Sequence, residues 1–329
     1  MHIPYTHESI RLTGRWDKTN PEAAVATATG SYIEFAFEGR MALVQFDANE
    51  NATPLLHLWV QLDGGDMIET VISNHIRVIA KNSGKHVCRI IFKGSKEIDR
   101  RWYTPLNSKL SFVGVQTEKP IALPEDNRPT IEFVGDSITE GVLIDADFAY
   151  PNEQLPTVGQ EMRPFQDDAC ATYAWLTAEA LNMRPICMGY GAVGVTKAGC
   201  GDVPAAPESY PFNFEGSPIT HAPSDYVVIN HGANDRRQPA EIYLAKYQEL
   251  LNVVRKHNPN ATVIAVSPFC GAFHTELGEM IEEYNKQNQC KVLYVDTFGW
   301  IPAEPFHPLR DGHETVAKNL SEALKKLLK

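Results

Sequence analysis

The sequence predicts an α/β protein in two parts: an antiparallel β-sandwich of jelly-roll type, then an open, doubly wound parallel sheet. Three observations lead there. Up to about residue 120 the chain alternates in short apolar and polar runs with no lasting helical period. From about residue 130, compact apolar runs alternate with helix-like stretches. Between the two lies EKPIALPEDNRPT (118–130), rich in proline and charge. A length of 329 residues also favours two cores over one.

In the first part SYIEFAFEG, MALVQFDA, LHLWVQLDGG, HIRVIA, HVCRIIFKG and KLSFVGVQT each read as a strand, with turns such as DGG and NSGK between several of them. Short strands at close spacing without helices imply antiparallel pairing over residues 1–120. Residues 121–130 form the linker. Residues 131–329 carry TIEFVGDS, RPICMGYG, DYVVINHG, TVIAVSPF and KVLYVDTF, runs suited to burial on both faces of a parallel sheet. ATYAWLTAEALN, PAEIYLAKYQELLNVVRKHN, TELGEMIEEYNKQN and ETVAKNLSEALKKLLK read as the helices between and after them. Such a sheet binds ligands at the carboxyl ends of its strands.

Composition narrows the function. Hydrophobic residues make up 43% and charged residues 22%, as in ordinary globular proteins. A formal net charge of −11 disfavours nucleic acid and anionic membrane as partners. MHIPYTHESIRLTG has no basic stretch or apolar segment of the secretory kind, and no run of 18 apolar residues occurs. The six cysteines (Cys88, Cys170, Cys187, Cys200, Cys270, Cys290) include no CxxC pair, so neither a zinc framework nor a dense disulfide scaffold is expected. The expectation is a cytoplasmic protein with reduced thiols.

Four strand ends stand out. They are GDSITEG (135–141), GYGAVGVT (189–196), NHGAND (230–235) and, past the last strand, EPFHPLRDGHETVA (304–317). Together they suit acyl transfer. A serine attacks only when a base takes its proton, which assigns Ser137 as nucleophile and His307 as base. A third group must fix the imidazole. Glu304 is favoured, with Asp311 as the other nearby carboxylate. The backbone N–H groups of Ser137 and Gly194 and the side-chain amide of Asn234 are candidate oxyanion donors. Glycine at 194 suits a close approach of substrate to its N–H. Taken singly, each block has a plain structural explanation. A serine at a strand-to-helix turn is usually a cap, and Asn-Asp is usually a turn.

The four blocks in this order resemble those of SGNH (GDSL-type) hydrolases over roughly residues 130–329: Gly135-Asp136-Ser137, Gly194, Gly232-Ala233-Asn234-Asp235 and His307-Pro308. With GRW at 14–16, GSYIEFAFEG, TYAWLTAEAL and GYGAVGVT, the chain is most similar to carbohydrate esterase family 2. That resemblance implies an SGNH-type α/β domain behind a jelly roll, and removal of acetyl groups from xylan- or mannan-type polysaccharides, with no metal and no cofactor. Where the family pattern is DxxH, this chain has Glu304-Pro305-Phe306-His307. Members of that family often work with a Ser–His dyad in which a backbone carbonyl orients the ring. The partner expected is an acetylated oligosaccharide. The alternatives are a lysophospholipase- or thioesterase-type acyl hydrolase, and a sugar-binding module without turnover.

Other residues are weighed against packing roles. Trp300, Trp102 with its neighbour Tyr103, and His231 are candidates to touch substrate. His313 and His274 are assigned supporting roles. The segment from Leu143 to Asp168 has no clear period and either covers the cleft or is a surface loop. Gly189–Gly194 spells GxGxxG, the dinucleotide fingerprint, but VTKAGCGDVPAAPESYPF follows where a helix is required, so no nucleotide is expected. No GxSxG elbow, HExxH or P-loop occurs.

Overall fold

The structure, a computed structural model, describes residues 1–146 and 164–328. The first eight strands are β1 (His2–Pro4), β2 (Ile10–Thr13), β3 (Ala24–Ala26), β4 (Tyr32–Phe46), β5 (His57–Leu62), β6 (Ile68–Val71), β7 (His75–Gly94) and β8 (Leu110–Pro120). Antiparallel hydrogen bonds join them in the order β1-β8-β4-β7-β5-β6, with β2 added to β4 and β3 to β8.

Strand β4 shows how sequence sets this half. Its buried core residues are Ile33, Phe35 and Phe37, then Ala42, Val44 and Phe46, an odd phase followed by an even one. The ladder with β7 slips between Gly39 (opposite Gly84) and Met41 (opposite Ile79), and this odd offset lets both halves of the strand face one core. Gly39 takes a φ of +138°, which only glycine adopts without strain. The first half of β4 is buried on its other face as well. There Tyr32, with Ile91 of β7, packs on Cys170 and Trp175 of the C-terminal half.

The parallel sheet comprises β9 (Thr130–Gly135), β10 (Arg184–Gly189), β13 (Tyr226–Asn230), β14 (Thr262–Val266) and β15 (Leu293–Val295), ordered β10-β9-β13-β14-β15. A small antiparallel pair, β11 (Phe212–Phe214) and β12 (Ser217–Pro218), lies outside it. The helices are α1 (Ser137–Glu140), α2 (Tyr173–Ala180), α3 (Ala206–Ser209), α4 (Ala240–His257), α5 (His274–Asn288) and α6 (Arg310–Leu327). One apolar cluster includes Leu250, Leu251 and Val254 of α4 with Val227 and Ile229 of β13. A second includes Val316, Leu320 and Leu324 of α6 with Phe133 of β9 and Val228 of β13. Since β13 alternates Val227, Val228 and Ile229 between these clusters, α4 and α6 cover opposite faces of the sheet. The chain runs from β9 to β10 on one side and returns to β13 on the other. The carboxyl end of β9 is therefore the topological switch point, where such sheets bind ligands.

Two buried ion pairs fasten the antiparallel sheet to this framework. Arg15 donates through Nε and Nη2 to Glu132 Oε1 of β9, at 3.0 and 2.7 Å. Burial opposes the Glu132 charge, but Arg15 beside it holds the carboxyl below its ordinary pKa. Arg101 pairs with Glu140 of α1, both fully enclosed. Thr29 Oγ1 donates to the Glu140 carbonyl at 2.9 Å. The helix that begins with Ser137 is thus clamped from the antiparallel half.

Candidate active site

At the end of β9 the chain turns abruptly. A Cβ on Gly135 would lie 2.9 Å from the Asn230 carbonyl oxygen and would run into Thr139 Oγ1 of the following turn. Asp136 caps α1, its Oδ1 accepting from Ile138 N–H at 3.0 Å. Gly141, at φ +91°, ends the helix after one turn, its N–H donating to the Ser137 carbonyl at 3.0 Å. Ser137 occupies the first helical position. Its N–H has no partner among the described residues, as expected for the first amide of a helix.

His307 comes from the loop between β15 and α6, and its Nε2 stands 2.9 Å from Ser137 Oγ. The structure therefore brings together the two residues assigned as nucleophile and base. The ring is half-buried, and burial pushes its pKa below the ordinary value. His313 anchors the same loop from α6. Tyr173 N–H donates to its Nδ1 at 2.9 Å, and the ring bonds the Pro308 carbonyl. Nδ1 accepts, so the proton of the neutral ring sits on Nε2. Burial pushes the His313 pKa down to about 3.

The third group is where the structure corrects the sequence reading. Glu304 is exposed, and among the described residues no carboxylate bonds or pairs with His307. The physical reason is solvation: residues 302–305 form an exposed stretch, and the Glu304 carboxylate keeps its water. Asp311 is exposed too and accepts from Gly312 N–H at 2.8 Å, in the first turn of α6.

The candidate oxyanion donors are drawn together but partly engaged. Asn234 Nδ2 donates to the Val193 carbonyl at 3.0 Å and to Asp136 Oδ2 at 3.2 Å. Gly194 N–H donates to the Lys197 carbonyl at 3.1 Å, so as placed it closes a turn instead of facing the site. Its glycine has another cause than substrate approach. A Cβ there would lie 2.5 Å from Asp235 Oδ1. Buried Asp235 accepts from Val195 N–H (3.0 Å), Thr196 N–H (2.9 Å) and Thr196 Oγ1 (2.6 Å), which binds the glycine loop to the Asn234 loop. Asp136 lies under both. Burial, with Asp235's charge adding, pushes its pKa up to about 7 against the opposing Ile138 hydrogen bond.

Two further expectations change. Trp102 is 4% exposed and packs edge-on to Phe212 at 6.3 Å inside the core, so it offers no face to a sugar. His231 is buried beneath the Asn234 loop at 2% exposure, and burial pushes its pKa down to about 4; it reaches no surface a substrate touches. Trp300 is half-buried against the apolar cluster under α6. Of the Leu143–Asp168 segment, residues 147–163 lie outside the described residues. After Gly194 no α-helix starts before α3, so the GxGxxG string lacks the helix its fingerprint needs. Among the described residues no three His, Cys, Asp or Glu side chains converge as metal ligands do.

Sequence reasoning missed two residues beside the site. Phe306 packs edge-on to His307, with centroids 5.5 Å apart, and Arg236 lies over the Phe306 ring at 4.2 Å. Their only signal is adjacency: Phe306 precedes the histidine and Arg236 follows GAND.

A family model described as the GDSL-like Lipase/Acylhydrolase family matches residues 133–315. Cellulase/esterase CelE of Acetivibrio thermocellus is 25% identical over 348 residues, covering 97% of this chain. The chain spans only 39% of the length of that relative. A family two carbohydrate esterase from Clostridium thermocellum, solved with cellohexaose, superposes with a TM-score of 0.76 at 22% identity, covering 97% of this chain and 99% of that one. The acetyl xylan esterase Est2A of Butyrivibrio proteoclasticus superposes with a TM-score of 0.80 at 19% identity, covering 100% and 99%. These likenesses establish a shared fold across both halves.

Proposed function

The chain belongs to the GDSL-like lipase/acylhydrolase family, and from that premise we propose that it is a serine esterase removing O-acetyl groups from plant-type oligo- or polysaccharides of the xylan or mannan class. The observation that carries the reading is the 2.9 Å hydrogen bond between Ser137 Oγ and His307 Nε2 at the switch point of the sheet. CelE is named an esterase, Est2A an acetyl xylan esterase, and the Clostridium thermocellum structure holds cellohexaose. These names support a β-linked glycan as the substrate. The antiparallel half, read as jelly-roll-like, serves to hold α1 through Arg101 and Thr29.

In this mechanism His307 Nε2 takes the Ser137 proton as Oγ attacks the acetyl carbonyl. The oxyanion meets the open Ser137 N–H first. Asn234 joins by exchanging its longer bond to Asp136 for the oxyanion while keeping Val193. His307 then protonates the departing sugar hydroxyl. The same imidazole takes a proton from water as its oxygen bonds the acetyl carbon, and the imidazolium returns that proton to Ser137 Oγ as the acyl bond breaks and acetate leaves. Among the described residues no carboxylate bonds His307, so the working unit of this reading is a dyad.

The test is acetate release from acetylated xylo- and manno-oligosaccharides, beside p-nitrophenyl acetate and octanoate, with Ser137→Ala as control. Acetate from a glycan, lost in the variant, is expected. Octanoate cleavage with no acetate from either glycan would replace the carbohydrate reading with a long-chain acyl hydrolase.

A further inference from the structure

We propose that Arg236 and Phe306 are positioning residues for His307, a cation–aromatic brace in a site where no carboxylate among the described residues bonds the imidazole. The inference rests on the dyad reading above. An imidazole that both takes and returns a proton must be kept from rotating off Ser137, and among the described residues its ring bonds no group other than that serine. The Phe306 ring packs against the imidazole at 5.5 Å and 76°. Phe306 is itself fixed on two sides. It packs on the apolar cluster under α6, and the Arg236 guanidinium lies 4.2 Å over its ring centroid.

The guanidinium is anchored in turn, because Nη1 donates to the Ala233 carbonyl at 2.7 Å. Ala233 directly precedes Asn234. The brace therefore runs from the loop carrying an oxyanion donor to the loop carrying the base, and sets the spacing of the two. The stretch before Phe306 is exposed from Pro302 to Pro305 and offers the histidine loop little other support on that side. On the other side the His313 bond holds Pro308. His307 is thus gripped between a buried histidine and a braced phenyl ring.

The experiment measures kcat and KM on p-nitrophenyl acetate and the rate at which a fluorophosphonate labels Ser137, read by intact mass, with melting temperatures alongside. Labelling needs the serine activated by its base but no acetyl substrate. In it the Oγ–P bond forms, fluoride leaves, and His307 takes the serine proton. Arg236→Met and Phe306→Leu are expected to lower kcat and labelling by about threefold to thirtyfold, with KM unchanged. Arg236→Lys and Phe306→Tyr, which keep the cation and the ring, are expected to recover most of the loss. The double variant should be no worse than the poorer single one.

Unchanged rates would overturn the brace. So would a raised KM at constant kcat, which marks Arg236 as a substrate contact, and so would Lys and Tyr variants that fail equally. If labelling follows the expected series while no acetylated glycan is cleaved, the carbohydrate reading falls and the brace stands.

Discussion

Asn234 and Asp136 share a hydrogen bond of 3.2 Å that joins the loop after β13 to the cap of the helix carrying Ser137. The carboxyl involved is buried, and its pKa is pushed from 3.8 up to about 7. An acid whose folded pKa is raised adds stability below its unfolded value and loses it as pH climbs through the folded one. The stability lead of the wild type over Asp136→Asn should therefore shrink between about pH 4 and pH 7. Paired thermal melts across that window check this, and a constant difference would contradict the burial argument.

His313 carries the opposite slope. Its folded pKa is depressed to about 3, so the neutral ring's contribution is complete above the ordinary value of 6.5 and is lost as pH falls toward 3. His313→Gln should be less stable than the wild type at pH 7, with the gap closing in acid. Melting temperatures from pH 7 to pH 4 measure it.

Activity should follow the His307 base form. Burial lowers its pKa, and among the described residues no carboxylate bonds the ring to raise it. The expected kcat/KM rises with pH, passes its midpoint below 6.5 and then levels. A midpoint above 6.5 would reveal an acidic partner for the ring.

Glu304→Ala should cost no more than a few-fold in kcat, because the exposed carboxylate bonds nothing on His307. Removal of an orienting acid in a Ser-His-Asp triad costs about 10⁴-fold. Steady-state kinetics on p-nitrophenyl acetate separates the two.

The clamp on α1 should matter for stability. Arg101→Met leaves the Glu140 carboxyl enclosed without its partner, at a cost of about 3–5 kcal/mol, while Arg101→Met with Glu140→Leu should recover much of it. Urea midpoints of the single and double variants are the readout.

Ser137 was legible because its motif sits at a strand end, and His307 because its motif lies between the last strand and the final helix; the parallel topology carries both to one edge. The orienting acid was misjudged because spacing places Glu304 near His307 in the chain without saying which way an exposed loop turns its carboxylate. Trp102, in RRWYTPLN, reads as a candidate to touch substrate. It is buried against Phe212, more than a hundred residues away, in a contact that no local pattern encodes. Gly194 reads from the sequence as an oxyanion donor whose missing side chain admits substrate, whereas its N–H meets the Lys197 carbonyl and the space a Cβ would need is held by Asp235, a long-range neighbour. The phase change within β4 follows the same lesson. SYIEFAFEG and MALVQFDA look like two strands, and the slip at Gly39 makes them one.

The most direct test of the Ser137–His307 account is to quench turnover of p-nitrophenyl acetate in acid and map the modified peptide by mass spectrometry. The account predicts one acetyl group on Ser137 during turnover, absent in Ser137→Ala and strongly reduced in His307→Ala. Full turnover with no acetyl on Ser137, or with acetyl on another residue, would contradict it.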